Sequence, residues 1–110
     1  MDAVLNLSKK LITIPSTSDN PKALGKVMEI SKKTLEGFKY ETFDKNGTRS
    51  LLFYNTQKLP KKFKIILNAH LDVIPAKKHQ YIPKEKNERL YGRGANDMKA
   101  AAVSFILLFF

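Results

Sequence analysis

Two short motifs in this chain combine side chains that could bind a metal ion. The first is Asn-Ala-His-Leu-Asp-Val at 68–73, in which His70 and Asp72 stand two residues apart. In an extended backbone, side chains two apart project to the same side. Imidazole is the commonest side-chain metal ligand, and a carboxylate can hold its second nitrogen. This spacing is typical of a metal-binding histidine and its orienting aspartate.

The second motif is Gly-Arg-Gly-Ala-Asn-Asp-Met-Lys at 92–99. Asp97 follows two glycines and precedes an apolar run that predicts a helix. A carboxylate there could offer two oxygens and a negative charge to cations. Each motif alone is a weak indicator of a metal site. Their order, one after a predicted strand and one before a predicted helix, is a strong one.

Residues 70–75 and 91–99 together resemble the di-zinc amidohydrolase and exopeptidase family. That family includes aminoacylases, acetylornithine deacetylases, succinyl-diaminopimelate desuccinylases and glutamate carboxypeptidases. The resemblance implies that His70 binds one zinc ion, that Asp72 orients its ring and that Asp97 bridges two Zn²⁺ ions, with Co²⁺ or Mn²⁺ as substitutes. It also implies a cis peptide bond between Asp97 and Met98 in the complete enzyme.

The same resemblance implies hydrolysis of amide bonds in N-acyl amino acids or small peptides, by a homodimeric full-length protein. The family also uses a Glu-Glu pair, a further acidic ligand and a late histidine, and none of these occurs in a matching position here. We therefore expect residues 1–110 to be the N-terminal part of one catalytic α/β domain, truncated and inactive alone. An alternative is a non-catalytic remnant or interaction fragment.

Each candidate residue also has a purely structural interpretation. His70 could be a buried, hydrogen-bonded histidine at a strand end, and Asp72 could cap a turn. Asp97 could be the N-cap of the last helix. Arg93 and Lys99 could be surface charges, and neither is assigned a catalytic role. Only the combination of both motifs favours the metal site over these alternatives.

A strongly basic composition raises a third functional class, a lysine-rich nucleic-acid-binding module. The chain has 20 lysine and arginine residues against 10 acidic ones, a net charge of +10. However, only Arg49, Arg89 and Arg93 can offer a bidentate fork. The densest lysine cluster, at 58–64, is typical of a solvated loop, and no nucleic-acid-binding motif accompanies it. We expect no nucleic-acid partner.

Composition also bears on compartment. The chain has no cysteine, which excludes disulfides and thiolate metal sites within it. The apolar run at 100–110 would form a helix about 16 Å long, against a hydrocarbon core of roughly 30 Å. The first residues lack the basic and apolar regions of a signal peptide. We expect a cytoplasmic protein without a membrane segment.

The elements that must position the motifs can be read from hydrophobic periodicity. We expect a three-layer α/β/α arrangement, which the resemblance makes zinc-exopeptidase-like, with the motif residues at the carboxyl end of its central strand. Asn20 is the predicted N-cap of a helix and Gly37 its C-terminal stop. Helices are predicted at 3–13, 21–36 and 98–110, the central strand at 63–69, a flanking pair of strands within 38–55, and a short strand at 89–91.

Overall fold

A computed structural model describes residues 2–110. Within these residues, the regular structure comprises three α-helices, two β-hairpins and a 3₁₀ turn at Lys78–Tyr81. The elements are α1 (Ala3–Ile12), α2 (Pro21–Thr34), β1 (Lys39–Lys45), β2 (Thr48–Tyr54), β3 (Lys84–Lys86), β4 (Arg89–Tyr91) and α3 (Lys99–Leu107).

The hydrophobic core forms where α1, α2 and α3 meet. Asp2 caps α1, because its carboxylate accepts hydrogen bonds from the amides of Val4 and Leu5 at 3.0 and 3.2 Å. The apolar stripe of α1 faces inward, which confirms the predicted amphipathic helix. The buried cluster comprises Leu11, Ile14, Ala23, Val27 and Val103.

Helix α2 begins and ends with the residues predicted to bound it. The Asn20 side chain accepts a hydrogen bond from the Ala23 amide at 3.1 Å, and Pro21 occupies the first turn. The helix ends at Thr34, and Gly37 then adopts a φ of +99° that favours glycine. The N-cap and stop predictions are therefore confirmed, with the helix two residues shorter than expected.

The flanking pair of strands is also confirmed, as the antiparallel hairpin β1–β2. Its register pairs Lys39 with Tyr54 and Lys45 with Thr48. Only Asn46 and Gly47 remain to make the turn, both with positive φ, as a tight two-residue connection requires. The connection is a tight two-residue turn, because both strands extend to its edges.

The predicted central strand at 63–69 is wrong. Residues 63–69 have no strand pairing, and Ile65 and Ile66 are 77% and 66% exposed. A strand needs backbone partners, and here β1 pairs only with β2 while β3 pairs only with β4. Within residues 2–110, neither hairpin uses its free outer edge to pair with this run. The structure is a small mixed helix and strand arrangement, and the three-layer architecture is not confirmed.

The last third of the chain contains the predicted short strand and the predicted apolar helix. Strand β4 pairs with β3, a partner that the sequence did not predict, across a turn at Asn87 and Glu88 with positive φ. Helix α3 buries Ala102 and Val103, while Phe110 beyond it is exposed. None of the helices in the described chain has both the length and the apolar character needed to cross a membrane.

Candidate functional site

The structure brings His70 and Asp97 into direct contact. The Nε2 atom of His70 lies 3.0 Å from the Oδ1 atom of Asp97. On the other side of the ring, Nδ1 lies 3.1 Å from the backbone oxygen of Asp72 and 3.2 Å from its Oδ1 atom. All three residues singled out from the sequence therefore meet at one imidazole ring.

These contacts bear on the structural alternatives. The His70 side chain is 47% exposed, so it is not a buried core histidine. Helix α3 has Met98 at its N-cap position with no side-chain capping bond, and the Asp97 carboxylate is directed to His70 instead. Asp72 likewise contacts the ring of His70. The peptide bond between Asp97 and Met98 is cis.

Both ring nitrogens of His70 face oxygen atoms, and this arrangement favours the protonated ring. A neutral imidazole carries one N–H, so it can donate to only one of these oxygens, whereas the protonated ring donates to both. Burial lowers the pKa of His70. The hydrogen bonds to the Asp72 carbonyl and the Asp97 carboxylate, with the charges of both aspartates, outweigh it and raise the pKa above the ordinary value.

The segment that carries His70 is fastened to the turn after α1. The Ser16 hydroxyl donates to the backbone oxygen of Leu71 at 2.7 Å, and the Val73 amide donates to the Ser16 oxygen at 2.9 Å. Ser16 is fully buried. His70 and Asp72 also open onto a cleft of about 800 Å³ with apolar side chains from α2 and α3 in its walls.

The segment that carries Asp97 is held in place by Lys99, for which the sequence analysis offered a surface charge as one interpretation. That interpretation is wrong, since Lys99 is 0% exposed. Its Nζ atom donates to the backbone oxygens of Leu11 at 2.7 Å and Ile14 at 2.8 Å, and burial lowers its pKa to about 8. The sequence feature that could have indicated its burial is a lone lysine at the start of an apolar helix. Arg93 is half-buried.

Two glycines of the second motif lie against other parts of the protein. A Cβ atom on Gly94, whose φ is +95°, would lie 2.9 Å from Cδ of Lys99 and 3.0 Å from Cγ1 of Val73. A Cβ atom on Gly92 would lie 2.6 Å from Cγ2 of Ile12. The Gly-x-Gly pattern therefore lets the loop pack closely on α1 and on the Lys99 side chain.

The donor atoms present fit part of a metal site. An imidazole nitrogen and a carboxylate oxygen are suitable zinc ligands, and His70 and Asp97 already converge. Zinc sites use three or four protein ligands. Within residues 2–110, no group of three or more histidine, cysteine, aspartate or glutamate side chains is placed to hold an ion. Both donors are of a chemical type that binds zinc, but they are fewer than the three or four that a zinc site needs.

Comparison with known proteins gives a consistent family. Residues 66–109, which include both motifs, match Peptidase family M20/M25/M40. Similar curated proteins are the succinyl-diaminopimelate desuccinylases of Buchnera aphidicola subsp. Cinara cedri, 35% identical over 112 residues, and Nitratiruptor sp., 32% identical over 108 residues. Each alignment covers 94% of this chain and 28% of the relative, so the chain spans less than a third of their length.

The match takes in both segments whose side chains meet at His70, and the relatives align over nearly the whole chain. The family is one of hydrolases that are generally metal-dependent. The resemblance seen in the two motifs is thereby confirmed. The chain belongs to Peptidase family M20/M25/M40.

Proposed function

We propose that this chain contributes part of the active site of a zinc-dependent amide hydrolase. The observation that carries the proposal is the 3.0 Å approach of His70 Nε2 to Asp97 Oδ1. These residues come from separate segments, and a neighbour of each is held to the end of α1 or the turn after it, Leu71 by a partly buried hydrogen bond and Lys99 by a buried one. A chance surface contact would not require such support on both sides.

The residues have distinct roles in this proposal. His70 would bind one zinc ion through Nε2, and Asp97 would offer its two oxygens to a pair of ions. Asp72 would hold the proton on Nδ1, which fixes the tautomer that leaves Nε2 free and raises its basicity. When bound, zinc supplies Lewis-acid polarisation of an amide carbonyl and activation of water near neutral pH. The remaining ligands and a carboxylate base would come from other residues of a complete enzyme.

The substrate class that we propose is an N-acyl amino acid, with an N-succinyl group as the first choice. Support comes from the names of the aligned relatives, which are succinyl-diaminopimelate desuccinylases. Such a substrate carries carboxylates, and the net charge of +10 favours the approach of anions. Zinc is the metal that we propose first, because imidazole and carboxylate are among its usual ligands, and Co²⁺ and Mn²⁺ could use the same two donors.

A second candidate, a non-catalytic interaction fragment, is favoured by one specific observation. Ile65, Ile66 and Leu67 are exposed side by side in a segment without strand partners. Contiguous exposed apolar surface marks a site that another chain covers. This candidate predicts folding or association without any metal requirement, and it gives no reason for His70 to bind zinc.

Zinc calorimetry on the purified chain separates the two candidates. We expect one weak zinc site in residues 1–110, lost in His70→Ala and in Asp97→Ala. The matched control is His79→Ala, because His79 is the other histidine of the chain and lies outside both motifs. Zinc binding that persists in His70→Ala but disappears in His79→Ala would contradict the proposed site.

Hydrolysis itself is a separate measurement. We expect no zinc-dependent release of free amino acid from an N-succinyl amino acid by the 110-residue chain. Two protein ligands and no positioned base are too few for metal-assisted hydrolysis. Measurable release that depends on zinc and on Asp97 would show that the chain is more complete than proposed.

A further inference from the structure

Residues 11–16, at the end of α1 and in the turn after it, touch both segments of the candidate site. We propose that this 11–16 platform sets the distance between His70 and Asp97, with Ser16 and Lys99 as positioning residues. The proposal rests on the proposed function, because it concerns how the metal-binding pair is held. It adds a role for two residues that contact neither a metal nor a substrate.

The first arm of the platform holds the His70 segment. Ser16 makes two hydrogen bonds to the chain just after His70. Its hydroxyl donates to the backbone oxygen of Leu71, and its backbone oxygen accepts from the amide of Val73. Leu71 is the immediate neighbour of His70. Ser16 itself is fully buried, which limits the access of water to these hydrogen bonds from its side. The backbone of Leu71 and Val73, directly after His70, therefore cannot shift away from Ser16 without breaking them.

The second arm holds the Asp97 segment. Lys99 donates two hydrogen bonds to the 11–16 platform, to Leu11 and Ile14, and its own amide donates to the Gly94 oxygen at 2.7 Å. Asp97 lies between these anchored residues, two positions before Lys99. The close fit of Gly94 against the Lys99 stem leaves little room for the loop to shift.

Both arms end on the same short stretch of backbone, and this is why the pair can act as a unit. The Lys99 ammonium binds the oxygen of Ile14, and Ser16 lies only two residues further on. The sites of attachment therefore lie close together on one stretch of backbone, whatever the path of the chain between 74 and 91, which includes the β3–β4 hairpin. Metal-binding constellations need their side chains held to within about 0.5 Å by such supporting contacts.

The experiment observes the His70 ring directly, by ¹H–¹⁵N NMR of the 110-residue chain at one fixed acidic pH. Asp97→Ala defines the Nε2 signal of a ring without its carboxylate partner. Lys99→Met keeps the length of the stem and removes the donors, with exposed Lys22→Met as its control. Ser16→Ala removes one hydroxyl, with exposed Ser104→Ala as its control.

We expect Lys99→Met and Ser16→Ala each to move the His70 Nε2 signal most of the way to its Asp97→Ala position, with amide dispersion retained. Both controls should leave the signal unchanged. A wild-type Nε2 signal in a folded Lys99→Met or Ser16→Ala chain overturns the proposal for that arm. If Lys99→Met fails to fold, Lys99→Gln, which keeps a shorter side chain with an N–H donor, replaces it for the second arm, and Ser16→Ala, which removes only one oxygen atom, still tests the first.

A zinc titration of the same variants separates this proposal from the proposed function. Loss of supporting contacts typically weakens metal binding by about 10- to 100-fold, and we expect a decrease in that range for Ser16→Ala. If the wild-type chain binds no zinc while the NMR shifts occur as expected, the proposed function fails and the platform stands. If zinc binds at His70 but the Nε2 signal is unchanged in both Lys99→Met and Ser16→Ala, the platform proposal is wrong and the proposed function stands.

Discussion

The Nε2 atom of His70 lies 3.0 Å from the Oδ1 atom of Asp97, although 27 positions separate the two residues in the sequence. With Asp72 on Nδ1, this leaves the ring between acceptors on both sides. The Asp97 carboxylate could pair either with a proton on Nε2 or with a metal ion bound at Nε2. Protonation and metal binding at this ring are therefore competing events.

Removing the Asp97 charge should lower the pKa of His70. The raised folded-state pKa means that protonated His70 stabilises the fold at low pH, and that this contribution is lost as pH rises through the folded-state pKa. We expect Asp97→Asn to move the NMR titration of His70 to lower pH. The control is Glu36→Gln, an exposed carboxylate after α2. An unchanged His70 titration in Asp97→Asn would show that the contact does not persist in solution.

Zinc affinity should rise with pH, because the proton on Nε2 must leave before a metal can bind. Below the pKa of His70, one released proton corresponds to about a tenfold gain in affinity per pH unit. Calorimetry in buffers of different ionisation enthalpy would count the protons released. Binding that is independent of pH across this range would place the ion elsewhere.

Lys99 should make the fold more stable as pH rises above about 8. The unfolded chain keeps the lysine proton up to 10.5, whereas burial lowers the folded-state pKa to about 8. Between these values the unfolded state binds more protons, so the free energy of unfolding increases with pH, by about 3 kcal/mol in total.

Urea denaturation at several pH values measures this increase. Lys99→Met removes the titrating group and should give a smaller pH dependence over the same range, whatever its absolute stability. Lys22→Met, which replaces an exposed lysine, is the control, and its free energy of unfolding should depend on pH as that of the wild-type chain does. Equal slopes for wild-type and Lys99→Met chains would mean that the Lys99 ammonium stays charged inside the fold.

Gly94→Ala should be more destabilising than Gly37→Ala. The two glycines have nearly the same φ, +95° and +99°, so the backbone penalty of about 1 kcal/mol is shared. Only Gly94 has neighbours within 3.0 Å of the added methyl group, whereas Gly37 has none within 4 Å. We expect an additional loss of about 1–3 kcal/mol at Gly94 from overpacking. Thermal unfolding of both variants isolates the difference, and equal losses would contradict the close contact.

Features encoded by neighbouring residues could be predicted from the sequence. The Asn20 cap, the Gly37 stop and the Asn46–Gly47 turn each depend on a few adjacent side chains and their backbone preferences. The two motifs indicated that His70, Asp72 and Asp97 belong together, and the structure places them in contact.

Features that depend on distant backbone could not be predicted in the same way. The apolar run at 63–69 has the composition of a strand, but a strand forms only where another strand offers its hydrogen-bonding edge. The burial of Lys99 depends on carbonyl oxygens 85 and 88 positions away. Nothing local to Lys99 reveals that these oxygens lie within its reach.

The unpaired run at 63–69 also has a consequence for solubility. Ile65, Ile66 and Leu67 are exposed in a segment free to pair with an identical segment of another molecule. Lys61, Lys62 and Lys64 stand directly beside them, and their like charges repel a second copy at low ionic strength. Added salt shortens the range of that repulsion, because the Debye screening length is about 10 Å at 0.1 M and about 3 Å at 1 M. Light scattering should therefore detect self-association that increases with salt, and Ile66→Lys should suppress it.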